Sequence, residues 1–590
     1  MTSLDNESAK LILQSLIERL AADSESLTPQ FGALISQTDR AALQHLLGTS
    51  TLSPKAAGDN TAGADSTTLV EDVLTQGIPA GSPQSAIVLS PSAYADLNLS
   101  CLKATGVQHE FAVSIDFGTA KSKAFAGRRG SDQPVQSDLK ELAIGDIDGD
   151  LDRSIYSVAS SVWISDDGLM FAGSHAMRRS SEFGISETRQ RIDSIKQELS
   201  LASQEHELEL PLSKAKNPTD TALKVEDAIC YFLAYLLDLV STDLQDRYGL
   251  SRYTPRRFTV PAWQEEQRKW ATKKITRYLK RAQILSDSFR GRWGEGIPIA
   301  EVKWAIAEAT KLEQDLDHLI DPVMQQFDLG ISEPIAAGSA RLWTDSARRG
   351  LVLIVDAGAG TTDFALFLVQ QGPQGSKAFP LRESKALKMA GDQLDDILLS
   401  YILSKRTGHS DDLTRSKIAN NLRLKSLRYY KRVLFDDGEV EIELATNEKV
   451  RITVPEFLEF DGVKRFASTV EDCLAEFLST IDPTFMEYAE GVPGPSVIFT
   501  GGSATVPIFT KLAGKPFQCA GTTARFRESA QHLPEIITHF GDAFQKEYPM
   551  LAVAIGGTLP LIEEKSRPVG EWGVGAPPPG SLSRVQITGV

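Results

Sequence analysis

Residues 351–369 read LVLIVDAGAGTTDFALFLV: an unbroken apolar run (351–355) ends on Asp356, a turn of small residues follows, and a second apolar run (364–369) starts directly after Asp363. Two β-rich runs around a tight glycine-containing loop predict a buried hairpin. Residues 111–120, FAVSIDFGTA, repeat the scheme upstream with Asp116, Gly118 and Thr119. Short apolar runs at 161–164 and 169–173 flank the turn Asp166-Asp167-Gly168 and predict two more strands. Residues 219–250 carry Ile229, Phe232, Leu233, Leu236, Leu237 and Val240 at helical spacing, which predicts a long amphipathic helix whose stripe packs on the core. The chain between Ala262 and Glu333 is also helical in pattern. Its Lys- and Arg-rich part, 268–292, is expected to be a solvated face or a receptor for an acidic partner surface.

At the N-terminus Leu11, Ile12, Leu16, Ile17 and Leu20 share one helical face, and a second helix is expected from a Thr38 cap to a Gly48 stop. Residues 51–84 turn to Ser, Thr, Ala, Gly and Pro, the composition of a tether. Strands alternating with helices place the chain in the α/β class. The expected division is a helical extension at 1–50, a flexible linker at 51–105, two bodies at 106–345 and 346–562, and a Pro/Gly-rich tail at 563–590.

Consecutive backbone N–H groups in a glycine turn form a nest for phosphate oxygens, and glycine lets a ligand come close. Asp116 and Asp356, each at a strand end, are candidate holders of a hydrated Mg²⁺. For either turn alone, a plain hairpin with a solvated Asp explains the pattern equally well; two copies favour halves that grip one phosphate chain.

At 590 residues the chain exceeds one core. With 42% hydrophobic and 24% charged residues it has the composition of a soluble globular protein. A formal charge of −16 argues against nucleic acid or an anionic membrane as partner. Four scattered cysteines and eight scattered histidines show no metal-ligand spacing, and a reducing, cytoplasmic setting is expected. No apolar run is long enough for a bilayer, and no signal peptide is evident.

Further segments resemble the nucleotide-binding domain of the seventy-kilodalton heat-shock (DnaK-like) chaperones, within the actin-like ATPase superfamily. They are Arg257-Phe258-Thr259-Val260-Pro261-Ala262-Trp263, Gly330-Ile331-Ser332-Glu333-Pro334-Ile335-Ala336-Ala337-Gly338, Ala390-Gly391-Asp392-Gln393-Leu394-Asp395, and Phe499-Thr500-Gly501-Gly502-Ser503-Ala504-Thr505-Val506-Pro507. With both aspartate turns in order, the resemblance covers roughly residues 110–562. It implies a two-lobed fold of duplicated ribonuclease-H-like domains around a nucleotide cleft, lobe I at 106–345 and lobe II at 346–562.

By that resemblance, ATP/ADP with Mg²⁺ is held by Asp116, Gly118, Thr119, Ala120, Lys121, Asp356, Gly358, Gly360, Thr362, Gly391, Lys431, Arg432, Gly501, Gly502 and Ser503, with Asp116 and Asp356 serving the metal. Lys196, Glu333, Thr361 and Asp363 would carry hydrolysis: a point charge on the phosphates, carboxylates that orient water, and a hydroxyl on the transferred group.

The nucleoside end departs from the family pattern. Arg428 stands at its Glu position, Thr505 at its Arg and Met550 at its late Asp. The tail after Ile562 is too short for that family's peptide-binding domain and lid. Two function classes remain: an ATPase that signals nucleotide state to a protein partner or co-chaperone, and a catalytically weak nucleotide-binding scaffold docking through its N-terminal helices. A sugar or acetate kinase ranks below them for want of a recognition loop, and actin-like filament formation stays open.

Overall fold

Both apolar–Asp–glycine stretches fold as antiparallel hairpins. β1 (Phe111–Asp116) pairs with β2 (Lys121–Arg128), which also takes β3 (Leu139–Glu141) and β4 (Ser157–Ala159). On its other side β1 is followed, in parallel, by β5 (Arg256–Val260) and β6 (Phe327–Ser332). A second sheet repeats this scheme strand for strand: β7 (Gly350–Ala357), β8 (Thr362–Gly372), β9 (Gly375–Pro380), β10 (Lys385–Leu387), β11 (Ser496–Thr500) and β12 (Arg527–Glu528). The orders are β3-β2-β1-β5-β6 and β9-β8-β7-β11-β12, with β4 and β10 added to β2 and β8. β7 is buried along its whole length, as an apolar run covered on both faces must be.

This computed structural model describes residues 96–559 apart from short segments at 105–108, 130–134, 146–153, 184–187, 262, 264, 316–326, 343–349, 373–374, 383, 407–411, 425–426, 483–484, 486–494, 520 and 529–532. The expected N-terminal helices, most of the 51–105 linker and the 563–590 tail lie outside the described residues. The last stretch of that linker is packed: Cys101 is buried, and Leu97, Leu99 and Leu102 lie against the first core.

Seven of the helices bear on the packing of the sheets and on the residues at their ends: α1 (Ile195–Leu201), α2 (Val225–Tyr248), α3 (Glu265–Ser288), α4 (Glu333–Leu342), α5 (Gly391–Lys405), α6 (Leu427–Asp437) and α7 (Asp542–Gly556). α2 starts six residues later than its apolar period suggested. It is buried all round from Ala228 to Leu237, not along one stripe, because α3 packs along it. The basic stretch 268–292 is a solvated face only in part: Arg268, Lys269, Lys273 and Arg290 are exposed. Lys274, Lys280 and Arg281 are buried, with Lys274 on Glu209 and Glu226 and Arg281 on Glu313. Charge density in sequence does not distinguish a wet face from a set of buried ion pairs; only the partners do.

Two helices tie the sheets together. α4 follows β6 of the first sheet, yet Ile335, Ala336 and Ala337 share a core with Val352, Ile354, Ala365 and Phe367 of the second. α7 follows the second sheet, yet Phe544, Tyr548 and Leu551 pack with Phe125 and Leu139 of the first. α4 and α7 also pack on one another.

Past the end of α7 the backbone lies directly on β1. A Cβ on Gly557 would stand 2.0 Å from Ser114 Oγ and 2.9 Å from Ser114 Cβ. Arg257 Nη1 donates to the Gly557 carbonyl at 2.8 Å. Gly557→Ala is therefore expected to lower stability by about 1–3 kcal/mol through overpacking. Denaturant unfolding checks this, and Ser114→Gly in the same chain should recover part of the loss.

Candidate functional site

The two glycine turns meet. A Cβ built on Gly360, in the β7–β8 turn, would lie 3.0 Å from Thr119 Cγ2 and 3.2 Å from its Oγ1, in the β1–β2 turn. Each turn is tied to its own sheet's surroundings. Ser160 Oγ donates to the Gly118 carbonyl at 2.8 Å, and Ser160 N to Ala120 O at 2.9 Å. Gly391 N donates to Gly358 O at 3.2 Å, Asp392 N to Ala359 O at 2.8 Å, and Ser503 N to Ala357 O at 2.9 Å. Gly501 is required as glycine: its φ is +90°, and a Cβ would fall 2.4 Å from Ala357 O and 2.6 Å from Asp356 Oδ1. Gly391 is similarly hemmed in by Ser503 Oγ, Gly358 O and Lys431 Nζ, all within 3.2 Å of where a Cβ would be.

Beneath the turns lie buried carboxylates. Asp356 on β7 stands directly opposite Asp363 on β8 in the antiparallel register, an arrangement that repels when both are charged. Glu333, the first residue of α4, joins them, and one oxygen from each of the three lies within 4.8 Å of the others. Asp116 at the end of β1 is close enough for its charge to act on Glu333 and Asp356.

Two ammonium groups answer these charges. Lys196 on α1 is ion-paired with Glu333, and Lys123 on β2 with Asp116 at 2.9 Å. Burial pulls Lys196 toward deprotonation, but the charges of Glu333, Asp116 and Asp363 outweigh it and raise its pKa. Burial, then Glu333 and Asp116, push the Asp356 carboxyl up to about 7. Burial, then Glu333 and Asp356, hold Asp363 well above the usual carboxylate range.

Thr361 Oγ1 donates to Asp363 Oδ2 at 2.7 Å, while the buried Asp363 Oδ1 has no partner. Thr500 Oγ1 donates to Asp356 Oδ1 at 3.2 Å, and Thr362 Oγ1 to Met389 O at 2.7 Å. An all-carboxylate set with an orphaned oxygen fits a hard divalent cation such as Mg²⁺.

Of the residues singled out from sequence, Asp116, Gly118, Thr119, Lys196, Glu333, Asp356, Gly358, Gly360, Thr361 and Asp363 converge here. Gly391, Lys431, Gly501 and Ser503 form the adjoining rim, where Lys431 Nζ donates to Gly391 O at 2.7 Å and pairs with Asp395 at 2.8 Å. Lys121 and Arg432 lie to one side, where their charges act on Glu547, a carboxyl raised by burial. Gly502 and Thr505 are exposed.

Lys123 was not singled out from sequence, although its place seven residues after Asp116 in a hairpin contains the information: the register sets the two directly opposite. Ser194 was also missed. It adopts φ +55°, donates to Asp392 Oδ2 at 3.2 Å, and accepts from Arg428 Nη2 at 2.8 Å. Arg428 bonds Asp392 Oδ1 at 2.8 Å as well, so its charge is already answered.

A chaperone protein HscA homolog of Histophilus somni strain 129Pt is 24% identical to this chain over 197 residues, 33% of this chain and 29% of that protein. The homolog of strain 2336 is likewise 24% identical over 197 residues. The similarity to these chaperones is distant, and the chain spans under a third of the length of the curated relatives it matches. No protein-family model matches the chain. Among the described residues no helix is long and apolar enough to cross a membrane.

Because Asp356 and Asp363 bind protons more tightly folded than unfolded, both make folding stability fall as pH rises above the usual Asp range, Asp356 doing so from about 4 to about 7. Asp363→Asn removes a charge that burial and two neighbouring carboxylates oppose. Its melting temperature without ligand at pH 8 is expected to exceed that of the parent chain, with a shallower dependence between pH 5 and pH 8. Scanning calorimetry across that range is the check, and a lower value with an unchanged slope contradicts the assignment.

Proposed function

We propose that this chain is an ATP-binding protein built like the nucleotide-binding domain of the seventy-kilodalton heat-shock chaperones, taking Mg·ATP between its two halves and hydrolysing it to ADP and phosphate. On this reading the two sheets are the cores of two actin-like lobes, and the nucleotide state is passed to a protein partner. The observation that carries it is the approach of Gly360 to Thr119 above Glu333, Asp356 and Asp363: two phosphate-type turns, each with its own aspartate, face one place. The distant similarity to HscA homologs, which are named chaperones, agrees with it.

The chemistry comes from the side chains. Backbone N–H groups of both turns bind phosphate oxygens. Lys196, kept protonated by Glu333 and its acidic neighbours, offers a charge to the transferred phosphoryl group. Thr361 holds one oxygen of Asp363 and leaves the other to orient a water and accept its proton, a role suited by a raised pKa. Mg²⁺, when bound, supplies the positive charge that lets Asp356 and its neighbours ionise beside a polyphosphate.

A weaker catalyst that works mainly as a nucleotide-dependent scaffold is the second reading, favoured by Arg428, whose guanidinium is engaged by Asp392 and Ser194 at the family's Glu position.

Wild-type protein is expected to bind Mg·ATP by calorimetry and release phosphate. Lys196→Met, Glu333→Gln and Asp356→Ala are each expected to cut turnover by about 10²–10⁴. Absence of binding at millimolar nucleotide would sink both readings, and binding without turnover would leave the scaffold.

A further inference from the structure

The two hairpins carry opposite charges at one equivalent register position. Where β8 sets Asp363 opposite Asp356, β2 sets Lys123 opposite Asp116. Lys123 is buried, with its Nζ 2.9 Å from Asp116 Oδ2 and 3.2 Å from where a Cβ on Gly118 would stand, so the ammonium lies against the backbone of the first glycine turn. Its charge acts on Glu333 and Asp356 too. Lys196 is committed to Glu333. Fully ionised, Asp116, Glu333, Asp356 and Asp363 against Lys123 and Lys196 leave two negative charges, the complement of one divalent ion.

We propose that Lys123 is a placeholder for the metal: it neutralises Asp116 while the cleft holds no cation and yields that carboxylate when a divalent ion binds. The released ammonium, on a flexible four-carbon stem above the first turn, then meets the nucleotide's phosphate chain. Two cations that share one carboxylate compete, so metal alone binds weakly, and metal with phosphate binds well because the phosphate rehouses the displaced charge. This rests on the Mg-nucleotide reading of the cleft.

The test is calorimetric titration of Mg²⁺, and of Mn²⁺ followed by electron paramagnetic resonance, into the nucleotide-free full chain. Lys123→Met is expected to bind either ion about tenfold tighter than wild type and Mg·ADP about tenfold weaker, a crossover that general loss of structure does not produce. Lys123→Arg, which keeps the charge, should stay close to wild type for the metal. If Lys123→Met does not fold by circular dichroism, Lys123→Gln serves with the same expectation. Metal affinity unchanged or weakened in the folded, uncharged variant overturns the placeholder, provided wild type binds Mg·ADP. If wild type binds no Mg-nucleotide, it is the function that falls.

Discussion

Burying like charges side by side is the constraint on which this molecule turns. Asp356 and Asp363 face each other across a fully paired antiparallel ladder, and Glu333 closes on them from the start of a helix. Without compensation such a group pushes its members toward the neutral form, as the raised carboxyls of Asp356 and Asp363 show. Lys196 and Lys123 relieve part of the repulsion, each bound to one acid. What is left is an electrostatic demand that a cation would meet. A chain that folds only for stability gains nothing from this arrangement, since apolar residues at the same positions would hold the sheet better.

The cluster exists because elements from both sheets are brought to one place. Asp116 and Lys123 come from the first sheet, Asp356 and Asp363 from the second, and Glu333 from the helix that leaves the first sheet and packs on the second. α7 makes the reverse exchange, crossing back to the first sheet, where Gly557 sits on Ser114. These two helices touch each other, so the two sheets are joined through their contact. At the rim, Ser194, Asp392 and Arg428 join α1's cap to α5 and α6.

Much of this was legible along the chain, for a physical reason. A strand buried on both faces must be an uninterrupted apolar run, and a ligand-approaching turn must be small, so LVLIVDAGAGTTDFALFLV and FAVSIDFGTA announce hairpins with aspartates at their ends without any tertiary information. The α/β class, the paired turns and the acidic residues at their mouths were all fixed locally in this way. The register of a short hairpin is local too, so the pairing of Lys123 with Asp116 was already implicit in the spacing of the two residues about the turn.

Other features are decided only when distant segments meet. Lys274 and Arg281 of α3 became buried ion pairs because Glu209, Glu226 and Glu313 arrive from elsewhere in the chain. α2 is buried on every side because α3 lies over it, and its own periodicity holds no trace of that cover. Arg428 is neutralised by Asp392 and hydrogen-bonded to Ser194, residues 36 and 234 positions away. The sequence by itself determined which residues turn, which run straight and which carry charge, because backbone sterics and hydrophobicity act over a few residues. Which charges share a cleft depends on long-range packing, and that the tertiary structure alone decided.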